Sequence, residues 1–263
     1  MPVIPSGVEE SLDIPETARD VSTSFDMTKK FFGTLEIYKD QADHSAAMNM
    51  AIDEVLLEGI TVPAVRFYRW HSAALSFGYF GRFADVANYQ GNRDLVRRWT
   101  GGGIVFHGED LTYSLVIPTS DTAFAESSIS IYEKVHRALC AALNETGQPA
   151  VIGGLLDPGR SGTTVATRTG ISGARYSCFV NPVRADVLID GRKIAGAAQR
   201  RTHRGLLQQG SIQGVDIGNG LAERFAQALA ANCCERKVDE EILQLARTLA
   251  EKKYGTEGWL RKR

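Results

Sequence analysis

Between positions 97 and 107 the chain reads Arg97-Arg98-Trp99-Thr100-Gly101-Gly102-Gly103-Ile104-Val105-Phe106-His107. Three consecutive glycines let a backbone approach a ligand closely and present its N–H groups, which suits a phosphate or a carboxylate. The two arginines add fixed charge and forked donors, and His107 stands where it could line the same site. No Gly-Lys-Ser/Thr follows, so this is not a Walker A loop, and it is not GxGxxG. On spacing alone, a ligand cradle and a tight glycine turn with solvated arginines both stay open. Two further residues carry chemistry. Lys193 follows an Asp190-Gly191 turn, on a strand that continues Ile194-Ala195-Gly196-Ala197-Ala198. Small residues there leave room for a ligand against the sheet, and the lysine could hold a phosphate or polarise a carbonyl; the alternative is a solvated lysine beside a turn. Cys178, in Tyr176-Ser177-Cys178-Phe179-Val180-Asn181-Pro182, is either a nucleophile needing a cationic neighbour or a buried packing residue.

The elements that must position these residues are partly legible. Asp43 or Ser45 can cap a helix in which Met48, Ala51, Ile52, Val55 and Leu56 keep helical spacing, stopped by Gly59. Short strands fit Ala64–Arg69, Ala73–Phe77 and Leu111–Ile117, and a second amphipathic helix fits Ser128–Leu143. Ala185–Ile189 and Arg192–Gly196 read as a β-hairpin around Asp190-Gly191. In that register Leu188 faces Lys193 and Asp186 faces Ala195, so Asp186 and Lys193 share one face and Asp186 can orient the lysine. Gly205–Ile212 is a third strand candidate. The tail from Leu221 reads as helical in two pieces, with Cys233 and Cys234, like Cys140 in the second helix, as packing residues. Gly153–Gly173 is rich in Gly, Ser, Thr and Arg without a period, the pattern of a mobile loop beside a site. Mixed helices and hairpins indicate an α+β fold. The expected organisation is a loose N-terminal tail over 1–30, a catalytic domain over 31–218 and a helical extension over 219–263.

Composition narrows the function classes. The 263 residues carry 30 Lys plus Arg against 31 Asp plus Glu, a balance with no global pull toward nucleic acid or an anionic membrane. Any anionic ligand must therefore be held locally. The basic run Arg200-Arg201-Thr202-His203-Arg204 lacks interleaved aromatics and fits a solvated turn, or contact with an acidic protein, better than nucleic acid. Four cysteines without a CxxC pair fit a reducing compartment, the histidines show no metal-ligand spacing, and no run is long enough to span a membrane. An acidic first thirty residues argue against a leader peptide. These features point to a cytoplasmic protein with no metal, no nucleic acid and no membrane partner.

Several separated stretches, in one order, resemble the biotin/lipoate protein ligase and octanoyltransferase family. They are Asn49-Met50-Ala51-Ile52-Asp53-Glu54, Arg66-Phe67-Tyr68-Arg69-Trp70 and Leu75-Ser76-Phe77-Gly78-Tyr79, then the glycine run with Asp110-Leu111-Thr112-Tyr113-Ser114. GRKIAGAAQRR from Gly191 to Arg201 and Gln209-Gly210-Ser211-Ile212 follow, with a tail motif Lys253-Tyr254…Trp259. The resemblance implies a class II synthetase-like sandwich of a mainly antiparallel sheet and a smaller sheet, flanked by helices. It implies attachment of an acyl group to one lysine of an acceptor domain, with Arg98, Thr100, Gly101, Gly102, Gly103 and His107 bordering the acyl pocket. Lys193 matches the family lysine that contacts the acyl carbonyl or phosphate, with Asp186 and Gly196 beside it.

Within the family, Cys178-Phe179 with Pro182 just before the hairpin resembles the nucleophile motif of a cysteine-dependent octanoyltransferase branch. That branch takes octanoyl from acyl carrier protein and needs no cofactor. Its acceptors are lipoyl domains of 2-oxoacid dehydrogenases or the glycine cleavage H protein. Ala185 before Asp186, where ligases tend to show an Asn-Asp pair, points the same way. Gly103, where that branch would have an arginine, and the arginines of the 160–168 loop point instead toward an ATP- and Mg2+-dependent lipoate–protein ligase. The Gly-Arg-Gly-Arg loop of biotin ligases is not found. A module that binds an acyl group or lipoyl domain without turnover is the non-enzymatic alternative.

Overall fold

The computed structural model describes residues 30–40, 42–154, 183–218 and 220–262. Cys178 and most of the Gly153–Gly173 stretch lie outside the described residues, as do residues 1–29 of the expected tail.

The first helix, α1 (Ala46–Gly59), starts where Ser45 Oγ accepts the Met48 N–H, one of the two caps expected. It leads into β2 (Ala64–Tyr68), which lies beside the preceding strand β1 (Phe32–Lys39). The central strand β6 (Leu111–Pro118) is buried along its whole length, and so is its neighbour β10 (Gly205–Ile212). A strand covered on both faces cannot show a clean polar alternation. Yet both contain Ser, Thr or Gln, and every such buried polar group needs a partner. Those partners build the site.

The main sheet has the order β11-β1-β2-β6-β10-β9-β8-β7, completed by β7 (Val151–Ile152), β8 (Val187–Ile189), β9 (Arg192–Arg201) and β11 (Ala230–Lys237). Pairing is antiparallel from β2 to β7 and parallel at β11-β1-β2. A small sheet, β4-β3-β5, is made by β3 (Ala74–Phe77), β4 (Asp94–Arg97) and β5 (Ile104–His107). Helices α2 (Ser128–Glu145) and α3 (Leu221–Leu229) cover one face of the large sheet, with Ile131, Val135, Leu139, Leu143 and Phe225 fully buried. Helices α1 and α4 (Glu240–Leu249) cover the other face, through Met50, Ile52, Leu56 and Ala246. Each fully buried Leu, Ile, Val or Phe contributes about 1.5–3 kcal/mol, so both layers are strongly held. The α+β sandwich expected from the sequence is the one observed.

Two expectations need correction. The hairpin turns at Asp190 (φ 49°) and Gly191 (φ 75°), the left-handed pair a type I′ turn requires, and Leu188 does pair with Lys193. However, Val187, not Asp186, pairs with Ala195, because β9 carries one extra residue there as a β-bulge. Second, the tail is not helical throughout. Cys233 and Cys234 lie exposed on β11, which pairs parallel to β1, rather than packing in a helix. Cys140 is buried in α2 as expected, and burial pushes its thiol up to about 12. Beyond α4 the chain makes a wide π turn over Ala250–Tyr254 and ends its described course with the short helix α5 (Glu257–Leu260). No helix among the described residues is long and apolar enough to cross a membrane.

Candidate active site

A cleft opens between β9, β10, α1 and the small sheet. One wall is β9. There Lys193 is buried rather than solvated, its Nζ 2.8 Å from Asp186 Oδ2, with both side chains at 5% exposure or less. Asp186 is itself fixed by the Tyr132 hydroxyl at 2.6 Å on Oδ1 and the Val183 N–H at 2.7 Å on Oδ2. The Tyr132 hydroxyl in turn accepts the Ala197 N–H, tying the carboxylate to the strand that floors the cleft. Gly196 makes room for the pair: a Cβ there would lie 2.5 Å from Lys193 Cε and 2.6 Å from Nζ. A buried ion pair survives only where its remaining hydrogen-bonding capacity is met, and here Tyr132 and Val183 supply donors to the carboxylate.

The opposite wall comes from the small sheet. His107 Nδ1 lies 2.8 Å from Asp110 Oδ2, and its Nε2 lies 2.7 Å from Ser76 Oγ. Ser76 Oγ accepts from Arg98 Nη1 at 2.7 Å, which leaves its own proton free for Nε2 when Nδ1 holds the ring proton against Asp110. Burial holds the His107 imidazole below its ordinary value, against the pull of Asp110. Burial alone would raise Asp110, but donors from His107, Ser211 and the Gly108 N–H hold its carboxyl low. Trp70 stacks on His107 at 4.0 Å and donates its indole N–H to Thr112 Oγ1. Arg98 Nη2 reaches the carbonyls of Gly101 (3.0 Å) and Gly103 (2.8 Å). At least two of the three glycines thus present carbonyls inward to an arginine.

The floor rests on a buried polar group centred on Asp53. Its carboxylate accepts from Arg66, Ser114, Tyr68 and Gln209, and Gln209 accepts the Thr100 hydroxyl at 2.8 Å. Behind Arg98, the fully buried Arg97 donates to the carbonyls of Tyr79, Gly81, Trp259, Leu260 and Lys262. The Trp259 indole donates back to the Arg97 carbonyl at 2.9 Å. Lys253 and Tyr254, the rest of the tail motif, both donate to Glu54 of α1.

Of the expected site residues, Arg98, His107, Lys193 and Gly196 line one cleft. Thr100 and Asp186 stand directly behind it, holding Gln209 and Lys193. Gly101, Gly102 and Gly103 are not in the lining; they pack beside it, where a Cβ on Gly78 would lie 2.1 Å from the Gly102 carbonyl. Cys178 lies outside the described residues. Sequence reasoning did not single out Ser76, Trp70, Gln209 or Ser211 as site residues, although polar residues inside otherwise apolar strands were a usable signal. Among the described residues no group of three or more His, Cys, Asp or Glu could hold a metal ion.

The two-sheet α+β sandwich is shared with several solved structures. One is a lipoate-protein ligase A bound with ATP, 24% identical, TM-score 0.66, matching 88% of this chain and 98% of that one. Another is the bipartite lipoate protein ligase of Thermoplasma acidophilum, 22% identical, TM-score 0.57, matching 88% and 96%. At those identities the likeness is one of fold, the class II synthetase-like fold. The family model for the lipoyl protein ligase A/B catalytic domain matches residues 45–240, and the chain belongs to that family. The octanoyltransferase LipM of Symbiobacterium thermophilum is 30% identical, over 80% of this chain and 92% of that protein. The octanoyltransferase LipM of Staphylococcus aureus is 34% identical, over 64% and 62%. The chain spans about three fifths of the length of several such relatives.

Proposed function

We propose that this chain is an octanoyltransferase of protein lipoylation. It takes an octanoyl group from the thioester of acyl carrier protein onto Cys178 and passes it to one lysine of an acceptor domain. That acceptor is a lipoyl domain of a 2-oxoacid dehydrogenase or the glycine cleavage H protein, in the cytoplasm. The observation that carries the reading is the buried Lys193–Asp186 pair facing a cleft floored by Gly196, Ala197 and Ala198. An ammonium held rigid in a dry wall stabilises an oxyanion far better than a solvated one. Relatives at 30–35% identity that are octanoyltransferases support the choice of reaction.

Cys178 precedes Val183 by five positions, and Val183 N–H is bonded to the carboxylate that holds Lys193. That short separation in sequence supports Cys178 as the group acylated beside Lys193. In the first step the Cys178 sulfur attacks the thioester carbonyl, the carrier's thiolate leaves, and the cysteine's proton goes to it. In the second, the acceptor lysine, as free amine, attacks the new thioester; an amide forms, the Cys178 thiolate leaves, and the amine's proton restores the thiol. Lys193 holds the oxyanion in both steps, Asp186 positions it, and Arg98 and His107 border the acyl chain, with Thr100 and the Gly101–Gly103 run supporting them from behind and beside the cleft. Exchange of a thioester for an amide runs downhill, so no ATP or other cofactor is required. The second reading is an ATP- and Mg2+-dependent ligase, favoured by the missing side chain at Gly103 and the arginines of 160–168.

The test is intact mass after mixing the protein with octanoyl-carrier protein without ATP, then peptide mapping. One octanoyl group on Cys178, discharged by an acceptor domain, is expected. No adduct, with lipoyl transfer only when free lipoate and ATP are supplied, overturns the transferase in favour of the ligase.

A further inference from the structure

The tail motif leaves a feature that acyl transfer itself does not use. Three cations crowd one set of rings, one of them two positions along β9 from the cleft-lining Ala198. Arg200 lies over Trp99 at 4.6 Å and over Tyr79 at 4.9 Å. Lys253 lies over Trp99 at 4.4 Å and over Trp259 at 4.6 Å. Lys262 lies over Tyr79 at 4.9 Å and over Trp259 at 5.0 Å. Each pair of cations shares a ring, and Glu54, bonded to Lys253, is the one carboxylate that the described residues pair with any of the three. Among the described residues the buried Arg200 Nε has no hydrogen-bond partner. Rings attract cations, but they supply no counter-charge, so the cluster as a whole stands to gain from an anion at its accessible ammonium and guanidinium groups.

Position fixes what the acceptor belongs to. Past the bulge β9 pairs regularly with β10, so Gly196, Ala198 and Arg200 point to the same face. Lys193 Nζ stands over Gly196, and four residues of strand from there to Arg200 span about 13 Å. A thioester donor of the pantetheine type carries its phosphate two amide units from the sulfur, the length of four to five extended residues, about 15 Å. We propose that Arg200, Lys253 and Lys262, framed by Trp99, Tyr79 and Trp259, bind the phosphate at the far end of the acyl donor's arm. This rests on the transferase reading for the donor, while the site requires only a phosphate; a nucleotide is the other source of that chemistry.

The experiment has two arms. In the first, kcat/KM is compared for octanoyl-phosphopantetheine and octanoyl-pantetheine, which differ only in the phosphate. The native protein should prefer the phosphorylated donor by on the order of tenfold or more, through KM rather than kcat. Arg200→Gln, and separately the exposed Lys262→Gln, should collapse that preference toward one. Equal use of both donors by the native protein overturns the proposal. In the second arm, tryptophan fluorescence is titrated with unacylated phosphopantetheine and with ATP. Saturable quenching by phosphopantetheine that weakens in both variants supports the site without relying on turnover. Quenching by ATP alone, weakened in both variants, keeps the phosphate site but assigns it to a nucleotide and overturns the transferase reading. Absence of quenching by either overturns the site.

Discussion

The two walls of the cleft solve the same problem, polar groups in a dry interior, by different means. On the small-sheet side, Arg98, Ser76, His107, Asp110, Thr112 and Ser211 form a continuous network in which the histidine is neutral and most links are short hydrogen bonds between side chains. On the β9 side two full charges, Lys193 and Asp186, face each other on a hairpin whose register is displaced by a bulge. The first wall is distributed, so that each group leans on several others. The second is concentrated, so that a single truncation strands a charge. A wall that only borders an apolar chain can be distributed, whereas one that meets a developing oxyanion needs a charge.

That contrast can be broken on purpose. The largest effect is expected from Asp186→Ala, which leaves Lys193 buried without its carboxylate and should cost about 3–5 kcal/mol in denaturant unfolding. Lys193→Ala removes the charge proposed to hold the oxyanion, and acyl transfer should fall by about 10²–10³-fold in kcat. An equal loss from His107→Gln would erase the distinction between the walls. A pH series sharpens the comparison. His136, fully buried against Ala185 and Tyr113, is pushed by burial down to about 4. Its folded value lies below that of a free imidazole, near ~6.5, so the unfolded chain takes up the proton first. Stability should therefore fall as pH drops from about 6.5 toward 4, by about 3 kcal/mol in all, and His136→Gln should flatten that slope. The smallest effect belongs to the distributed wall: Ser76→Ala should cost about 1–3 kcal/mol, with Arg98 still bonded to the Gly101 and Gly103 carbonyls.

The legible parts of the molecule were those whose local chemistry is self-sufficient. The Asp190-Gly191 turn, the Ser45 cap and the stripe of α2 each follow from a few neighbouring residues, and each stands as expected. The bulge left no trace, because one extra residue in β9 is set by how the strand meets β8 rather than by its own composition. Even so, Asp186 and Lys193 meet, since Gly196 clears the space that a side chain would fill. β1 and β11 were missed for a related reason. Ala230–Lys237 is exposed along nearly its whole length and lacks an alternating pattern, so its strand state depends on pairing with residues some 200 positions earlier. Tyr132, Ser76 and Gln209 belong to the site only through distant partners, and no spacing rule connects them.

The Arg97 clasp sets an order of events during synthesis. Its guanidinium is wrapped by carbonyls from residues 79, 81, 259, 260 and 262. Until residue 262 has left the ribosome, this arginine lacks most of its acceptors, and burying it would leave a charge unmet. The small sheet should then stay loosely docked, with Arg98 beside it, until residues 259–262 are available to close the clasp. The candidate cleft is thereby assembled late, and the same clasp is the seam at which a chain shortened before residue 259 would come apart first.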